Sequence, residues 1–487
     1  MHIAHIAPEM TPFAKTGGLG DVVGALPAAQ AAAGDQVTVV VPGYGFVRRA
    51  LGLAAGSGRL IGARIDGTDW NGELHSFEHR GVRVLLPTRD DLFDRPEIYG
   101  GPEGGYADNG VRFGWFCAAA LNALRESAPA PDVVVAHDWP AAPAVLMLRA
   151  ARRADDVLGE TASALVVHNL AHQGIFGGEL AARLGLDRLD PEAFAADGAV
   201  NLLKGAIRGA TVVVTVSPTY AREIVTPEYG EGLADDIAAR AGDVVGILNG
   251  LDVALWDPSS DPRLPHHFDA ADFAGKARCK ESLQRELGLE VDPSRPLFAL
   301  VSRVDRQKGI DLVAAAAPWL LDEGAQFAML GSGQKRYLDP LVRLAALRPR
   351  EAAVATRFDE PLAHRIYAGA DFFLMPSRFE PCGLGQMAAL RYGALPIARR
   401  TGGLADTVRD IDERPDDANG FLFDHADAES LRAACGRALE LFRNDATRLA
   451  LLQRLGMRED FSWRLAALSY RRALERAALK ERRRVLP

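Results

Sequence analysis

Ser377-Arg378-Phe379-Glu380-Pro381-Cys382-Gly383-Leu384-Gly385-Gln386 follows a short apolar run, Phe372 to Met375, that reads as a buried strand. It precedes Met387 to Gly393, which reads as a helix ended by glycine. A carboxylate, a proline and two glycines therefore occupy a strand-to-helix turn. In a doubly wound parallel sheet this is where the ligand crevice opens, and a helix starting there offers unpaired N–H groups to an anion. Glu380 would repel a bare phosphate. Its expected partner is a hydroxyl or a developing positive charge, and a sugar joined to a phosphate supplies both. A Pro-Cys-Gly turn carrying a solvated acid is the other reading of these ten residues alone.

Outward from this turn the pattern repeats. Toward the N-terminus of the second half lie strand candidates Leu297–Ser302, Gln326–Leu330 and Ala352–Thr356, with helical stretches Ala271–Leu287, Ile310–Leu321, Tyr337–Ala346 and Leu362–Gly369 around them. Leu395–Ala398 is a further strand, and the Arg- and Ala-rich tail from Ser462 to Arg484 is helical. The first half alternates in the same way: strands Ile3–Ala7, Gln36–Val41, Val82–Leu86, Asp132–Ala136, Ala164–Val167 and Thr211–Val216, helices Asp21–Ala33, Val111–Arg125 and Ala141–Arg153. Continuous Val-rich strands separated by helices predict parallel sheets covered on both faces. Arg59 to Pro87, with Asp66-Gly67 as a turn signal, reads instead as an antiparallel insertion. The alternation breaks near Gly246 to Asp252, and the polar, proline-bearing stretch Trp256 to Pro262 reads as a linker. The expected domains are 1–250, completed by the helix 462–487, and 251–461.

At 487 residues the chain exceeds what one core usually holds. Its 48% hydrophobic and 25% charged residues are those of an ordinary globular protein. A formal charge of −8 argues against a general nucleic-acid or anionic-membrane binder, so a bound anion must be held by local groups. Cys117, Cys279, Cys382 and Cys435 form no metal-like pair and suit a reducing compartment. No apolar run reaches membrane-span length, and Met1 to Ala7 already reads as a strand rather than a signal peptide. A cytoplasmic protein is expected.

Lys15-Thr16-Gly17-Gly18-Leu19-Gly20-Asp21 sets a cation and small residues at a helix N-terminus, as a phosphate cradle would. Gly18-Leu19-Gly20 also begins a dinucleotide fingerprint, but the third glycine position is Val23 and the second strand ends Val41-Pro42-Gly43 with no acid for a ribose, which disfavours a dehydrogenase. Arg400-Thr401-Gly402-Gly403-Leu404-Ala405-Asp406 echoes the same turn in the second half. Arg303 and Lys308 leave a strand end together, which suits a pyrophosphate, solvated loop charge being the alternative. Gly331-Ser332-Gly333-Gln334-Lys335-Arg336 lacks the spacing and hydroxyl of a P-loop. His137-Asp138-Trp139 and His168-Asn169-Leu170-Ala171-His172 both end strands. The His168/His172 spacing matches a zinc pair, but the preceding residues read as strand and no Glu follows His168, so a polar ligand contact is expected rather than a metal.

These motifs, together with Ser217-Pro218-Thr219-Tyr220-Ala221, Asn249-Gly250-Leu251-Asp252 and Asp460-Phe461-Ser462-Trp463, run the length of the chain in the order found in bacterial glycogen synthases and plant starch synthases. The chain resembles that family. The resemblance implies the GT-B fold, an α/β architecture of two doubly wound Rossmann-like domains facing across a cleft, with the C-terminal helix returning to the first domain. It implies transfer of glucose from ADP-glucose to the non-reducing end of glycogen or another α-1,4-glucan, with retained configuration, no cofactor and no metal. Arg303 and Lys308 are then expected to hold the diphosphate, with Lys15 and the Gly17-Gly18 turn also directed at it. Glu380 would face the glucosyl ring, and Cys382, Gly383 and Leu384 would offer backbone donors. His168 and Asp138 would bind the sugar, and Asp21 and Asn249 would lie at the cleft. The first domain would be the glucan side and the second the nucleotide-sugar side. Three departures bear on donor affinity and base selectivity: Gly385 in place of a hydroxyl residue, Phe358 in place of a tyrosine near the adenine, and His172 in place of an aromatic beside the sugar. A related transferase with another nucleotide sugar or a small acceptor, and a glucan-binding protein without activity, are the other readings. The intact Lys15, Glu380, Arg303 and Lys308 weigh against the last.

Overall fold

The computed structural model describes residues 1–101, 104–151, 155, 157–357 and 359–485. The chain divides into two compact units, one made of 1–250 with 463–487 and the other of 251–462.

Unit 1 is built on strands β1 (His2–Ile6), β2 (Gln36–Val40), β3 (Arg59–Ile65), β4 (Thr68–His79), β5 (Val82–Thr88), β6 (Val133–His137), β7 (Ala162–Val167), β8 (Val212–Thr215) and β9 (Val244–Gly246). They form one sheet in the order β9-β8-β7-β6-β1-β2-β5-β4-β3. Neighbours from β9 to β5 are all parallel, and only β4 is reversed, pairing antiparallel with both β5 and β3. The antiparallel stretch expected over Arg59–Pro87 is present as β3, β4 and β5, and it extends the main sheet. Its last strand pairs antiparallel with β4 but parallel with β2, because Val82, Val84, Leu85 and Leu86 are buried on both faces like any inner strand. The covering helices include α1 (Gly18–Ala32), α2 (Asn109–Arg125) and α3 (Asp138–Ala151).

Unit 2 holds a wholly parallel sheet of β10 (Leu297–Val301), β11 (Gln326–Leu330), β12 (Ala352–Ala355), β13 (Phe372–Met375), β14 (Leu395–Arg399) and β15 (Phe421–Phe423). The order is β12-β11-β10-β13-β14-β15. Its site-bearing helices are α4 (Ile310–Asp322), α5 (Glu360–Gly369), α6 (Gly385–Arg391) and α7 (Gly402–Thr407). The core between sheet and helices is aliphatic and aromatic, with Phe298, Phe327, Phe372 and Phe421 fully buried. The stretch Trp256–Pro262, expected as a linker, is packed into this unit. Trp256 stacks on His364 of α5 at 3.9 Å, and Asp261 Oδ2 accepts hydrogen bonds from His364 Nδ1 and Tyr392 Oη, each at 2.6 Å. Asp261 belongs to a buried network, whereas Ser259 and Ser260 of the same stretch are exposed.

The chain passes from unit 1 to unit 2 after Gly250 and returns before α8 (Trp463–Val485). The two passages run side by side. Leu251 bridges Ser462, and Leu251 N–H donates to Phe461 O at 2.6 Å. A Cβ on Gly250 would stand 2.7 Å from the Trp463 backbone. Beyond this point α8 packs on α1 and β7. No described helix is long and apolar enough to cross a membrane.

Both sheets reverse their winding once. In unit 2 successive strands leave β10 on one side through β11 and β12, then resume on the other at β13. In unit 1 the same reversal lies between β1 and β6. At such points adjacent loops diverge and leave room for a ligand at the carboxyl ends. Lys15, Gly17, Gly18 and Asp21 follow β1, Asp138 follows β6, Arg303 and Lys308 follow β10, and Glu380, Cys382, Gly383 and Leu384 follow β13.

Candidate active site

In unit 2 the loops after β10 and β13 lie side by side. Gln307 Nε2 donates to Phe379 O at 3.2 Å, and Arg378 N–H donates to Gln307 O at 2.8 Å. Arg378 also forks onto Asp311 at the start of α4, at 2.8 and 2.7 Å. Gly309 has φ +65, and a Cβ there would lie 2.1 Å from Pro376 O, so only glycine lets the loops approach so closely. This fit delivers Lys308 to Glu380. Nζ lies 2.6 Å from Oε2, and Ser377 Oγ donates to the same oxygen at 2.9 Å. Glu380 is only 5% exposed, so it is not the solvated acid of the alternative reading. Arg303 stands apart from this pair: its side chain is 61% exposed, with Asp305 at 3.7 Å.

The Gly402-Gly403 turn supports the Glu380 loop. Gly403 N–H donates to Glu380 O at 3.0 Å, and a Cβ on Gly402 or Gly403 would lie 2.0 Å from Glu380 O or Cys382 O. Gln386, fully buried, donates through Nε2 to Cys382 O at 3.1 Å and Gly383 O at 2.9 Å. Gly383 adopts φ +75, and Leu384 is half-buried as the N-cap of α6. A Cβ at Gly385 would meet Phe373 at 3.3 Å and the Tyr367 hydroxyl at 3.4 Å, so a larger residue there needs a slight shift of its neighbours. Phe358 lies outside the described residues.

In unit 1 the loop after β1 is organised by Glu9, a buried acid that the sequence reading passed over. Its carboxylate accepts from Thr16 N–H at 2.6 Å, Thr16 Oγ1 at 2.8 Å, Gly17 N–H at 3.2 Å and Tyr99 Oη at 2.6 Å. The Gly17 N–H expected to meet a phosphate is therefore already satisfied by a carboxylate. Gly18 opens α1 behind it. Lys15 Nζ pairs with Asp21 Oδ1 at 2.7 Å, both partly exposed. The echoing Gly-Gly turns thus serve different partners: Gly17 donates to an acid side chain, and Gly403 donates to a main-chain carbonyl.

Asp138 follows β6 with φ +54, a conformation that turns its carboxylate onto the β7 end, where Oδ1 accepts from His168 N–H at 2.7 Å. Burial pushes its carboxyl up to about 7, against the lowering effect of N–H groups from His168 and Asn169. Burial likewise holds His168 down to about 3, so it is neutral. Asn249 is buried, and its Oδ1 has no hydrogen-bond partner among the described residues. His172 is exposed on the rim of a pocket of about 650 Å³ within unit 1, whose lining includes Tyr106, Trp139, Phe176, Gln173 and Glu231. Aromatic faces beside amide and carboxylate groups suit the CH faces and hydroxyls of a carbohydrate. Among the described residues no group of His, Cys, Asp or Glu side chains converges as a metal site.

Residues 2–239 match the family model described as starch synthase catalytic domain, and residues 295–441 match glycosyl transferases group 1. The glycogen synthase of Geotalea daltonii is 42% identical over 96% of this chain and 97% of its own length. The chain belongs to the glycogen and starch synthase family. Glycogen synthase 2 of Geobacter sulfurreducens is 41% identical, covering 98% of this chain and 99% of its own. The catalytic domain of starch synthase IV from Arabidopsis thaliana, bound to ADP and acarbose, superposes with a TM-score of 0.87 at 33% identity, covering 98% of this chain and 99% of that one. This member of the family is a glycosyltransferase of the GT-B fold.

Within this glycosyltransferase the structure brings Lys308 to Glu380, Lys15 to Asp21 and Asp138 to His168, and leaves Arg303 exposed. Sequence reasoning missed Glu9 and gave no role to Ser377, nor to His5 and Gln30, which are buried on β1 and α1. Glu9 carried a usable signal, an acid just past a buried strand and ahead of a glycine-rich loop. His5 and Gln30 carried little, because a polar residue amid apolar ones declares no partner.

Proposed function

We propose that this chain is a glycogen synthase, transferring glucose from ADP-glucose to the non-reducing end of an α-1,4-glucan with retention of configuration. The observation that carries the reading is the pair of half-buried Lys308 and buried Glu380 at the switch point of the unit 2 sheet. As the glycosidic bond to the diphosphate breaks, negative charge grows on the leaving group and positive charge on the glucosyl ring. Lys308 is shared in this reading between the leaving diphosphate and Glu380, with exposed Arg303 as a second cation. Glu380 meets the charge on the ring, and Cys382, Gly383 and Leu384 contribute main-chain groups of the same loop. His168, Asp138 and Asn249 meet sugar hydroxyls, with Lys15, Asp21, Gly17 and Gly18 ordering the loop beside them.

In this reading unit 2 is the nucleotide-sugar side and unit 1 the glucan side, where the Trp139 pocket takes an acceptor sugar. The plant relative bound to ADP and acarbose supports a nucleotide and a glucan-like ligand. The four free cysteines, all buried, fit a cytoplasmic setting. Side-chain cations meet the diphosphate charge, so activity is expected to persist in chelator. Loss of activity in chelator with recovery on Mg²⁺ would refute that step. Incubation with labelled ADP-glucose or UDP-glucose and glycogen tests the whole reading. Incorporation from ADP-glucose into glycogen is expected, and incorporation from UDP-glucose alone would transfer the assignment to another nucleotide sugar.

A further inference from the structure

Three side chains that this reaction does not use lead, hydrogen bond by hydrogen bond, to His168. Gln30, near the end of α1, sets Oε1 2.7 Å from His5 Nε2. His5 Nδ1 lies 3.0 Å from His137 Nε2, and His137 Nδ1 lies 2.9 Å from His168 Nε2. The sheet explains the ladder, because β1, β6 and β7 are consecutive neighbours. His5 pairs with Val135 across β1 and β6, and His137 pairs with Val166 across β6 and β7. Each imidazole therefore stands closer to the carboxyl edge than the one before. The rings stack as they climb, with centroids 5.3 and 5.2 Å apart. Gln30, His5 and His137 are fully buried, and only His168 reaches the surface.

Such a chain has a direction. Burial keeps all three imidazoles neutral, so each carries one ring proton and each link holds one hydrogen. With Gln30 Oε1 facing it, His5 holds its proton on Nε2 and leaves Nδ1 bare. His137 must then donate from Nε2, and His168 must donate from Nε2 in turn. The outer Nδ1 of His168 is left bare, as an acceptor. If the carboxamide turned over, Nε2 of Gln30 would donate instead, and every ring proton would sit on the opposite nitrogen. Gln30 Nε2 is buried with no hydrogen-bond partner among the described residues, a cost accepted at the inner end of the chain.

We propose that Gln30 is a positioning residue for the transfer reaction: acting through His5 and His137, it fixes His168 as the Nε2–H tautomer, so that Nδ1 accepts a hydrogen bond from a hydroxyl of the bound sugar. The inference rests on the reading that His168 meets the sugar. An amide three links away thus decides whether His168 offers a lone pair or a proton.

Imidazole ¹⁵N NMR of the free, histidine-labelled full-length protein reads the tautomer without substrate. Wild type should show His168 protonated on Nε2 and bare on Nδ1. Gln30→Met should give a mixture of tautomers and lower kcat/KM for the sugar donor about tenfold. His137→Phe keeps the stacking and severs the chain, so adding Gln30→Met to it should change kcat/KM no further. A wild-type His168 protonated on Nδ1, a tautomer unmoved by Gln30→Met, or losses that multiply in the double variant would each overturn the proposal. The wild-type spectrum decides even where a variant fails to fold. Absence of transfer in wild type would instead overturn the reaction assigned above and leave the tautomer result standing.

Discussion

Glu380 is held by an ammonium and a hydroxyl on one oxygen, inside a loop fixed from three sides. In Glu380→Gln the volume stays and the charge goes. Turnover should fall about 10²- to 10³-fold with little change in the KM for the donor, because the lost interaction belongs to the transition state. Steady-state kinetics with ADP-glucose checks this, and a raised KM at unchanged kcat would refute the role. Glu380 was legible in the sequence because an acid at a strand-to-helix turn has few structural reasons to be there. Its pairing with Lys308 was not legible, since the two lie far apart in the chain and meet only through the order of β10 and β13. The contacts of Glu9, though not its position, were illegible for a related reason. Its partners Thr16, Gly17 and Tyr99 become neighbours only when the loop after β1 closes on it.

The two Gly-Gly turns make a controlled comparison at the level of elements. Gly17 has φ −156, which any residue adopts, and open space where a Cβ would go. Gly17→Ala should change stability by less than about 0.5 kcal/mol. Gly403→Ala places a Cβ against the Cys382 carbonyl and should cost about 2–3 kcal/mol, with activity lost as the Glu380 loop shifts. Urea unfolding of the two variants separates these outcomes. The strands carrying His5 and His137 make a second prediction. Burial lowers His5 to about 4 and His168 to about 3, with His137 well below its usual range, against 6.5 for the free side chain. The unfolded chain therefore binds more protons below pH 6.5. The stability these groups contribute is present above that pH and is lost as pH falls toward their folded values, by up to about 1.4 kcal/mol per histidine per pH unit. Asp138 works the other way, since its raised carboxyl stabilises at low pH and loses that contribution as pH rises toward 7. The three histidines outweigh it, so Tm should drop from pH 7 to pH 5, and His137→Phe should flatten the slope. Alternating strands and helices were readable throughout because buried parallel strands are continuous apolar runs. The pairing of β5 with β2, the stacking of half-buried Trp256 on His364 and the burial of Asp261 were not, because each depends on a partner distant in sequence.

Over the whole molecule, the two passages between units lie against each other at Gly250–Leu251 and Ser462–Trp463, so 251–462 begins where it ends. A fragment spanning 251–462 should fold alone, and ADP should raise its melting temperature if this unit holds the nucleotide. A folded fragment indifferent to ADP would move the nucleotide assignment elsewhere. Unit 1, by contrast, is finished by α8, where Glu481 accepts from Thr211 Oγ1 at 2.9 Å, Lys480 pairs with Asp243 at 2.5 Å and Arg482 pairs with Asp132 at 2.7 Å. During translation the first 250 residues leave the ribosome long before the helix that completes them, whereas unit 2 emerges in one piece. The half made first is therefore the half completed last. Its sheet must wait, with the α8-facing side of α1 and β7 uncovered, while more than two hundred further residues are added. That interval is when the nascent chain is most open to chaperone capture.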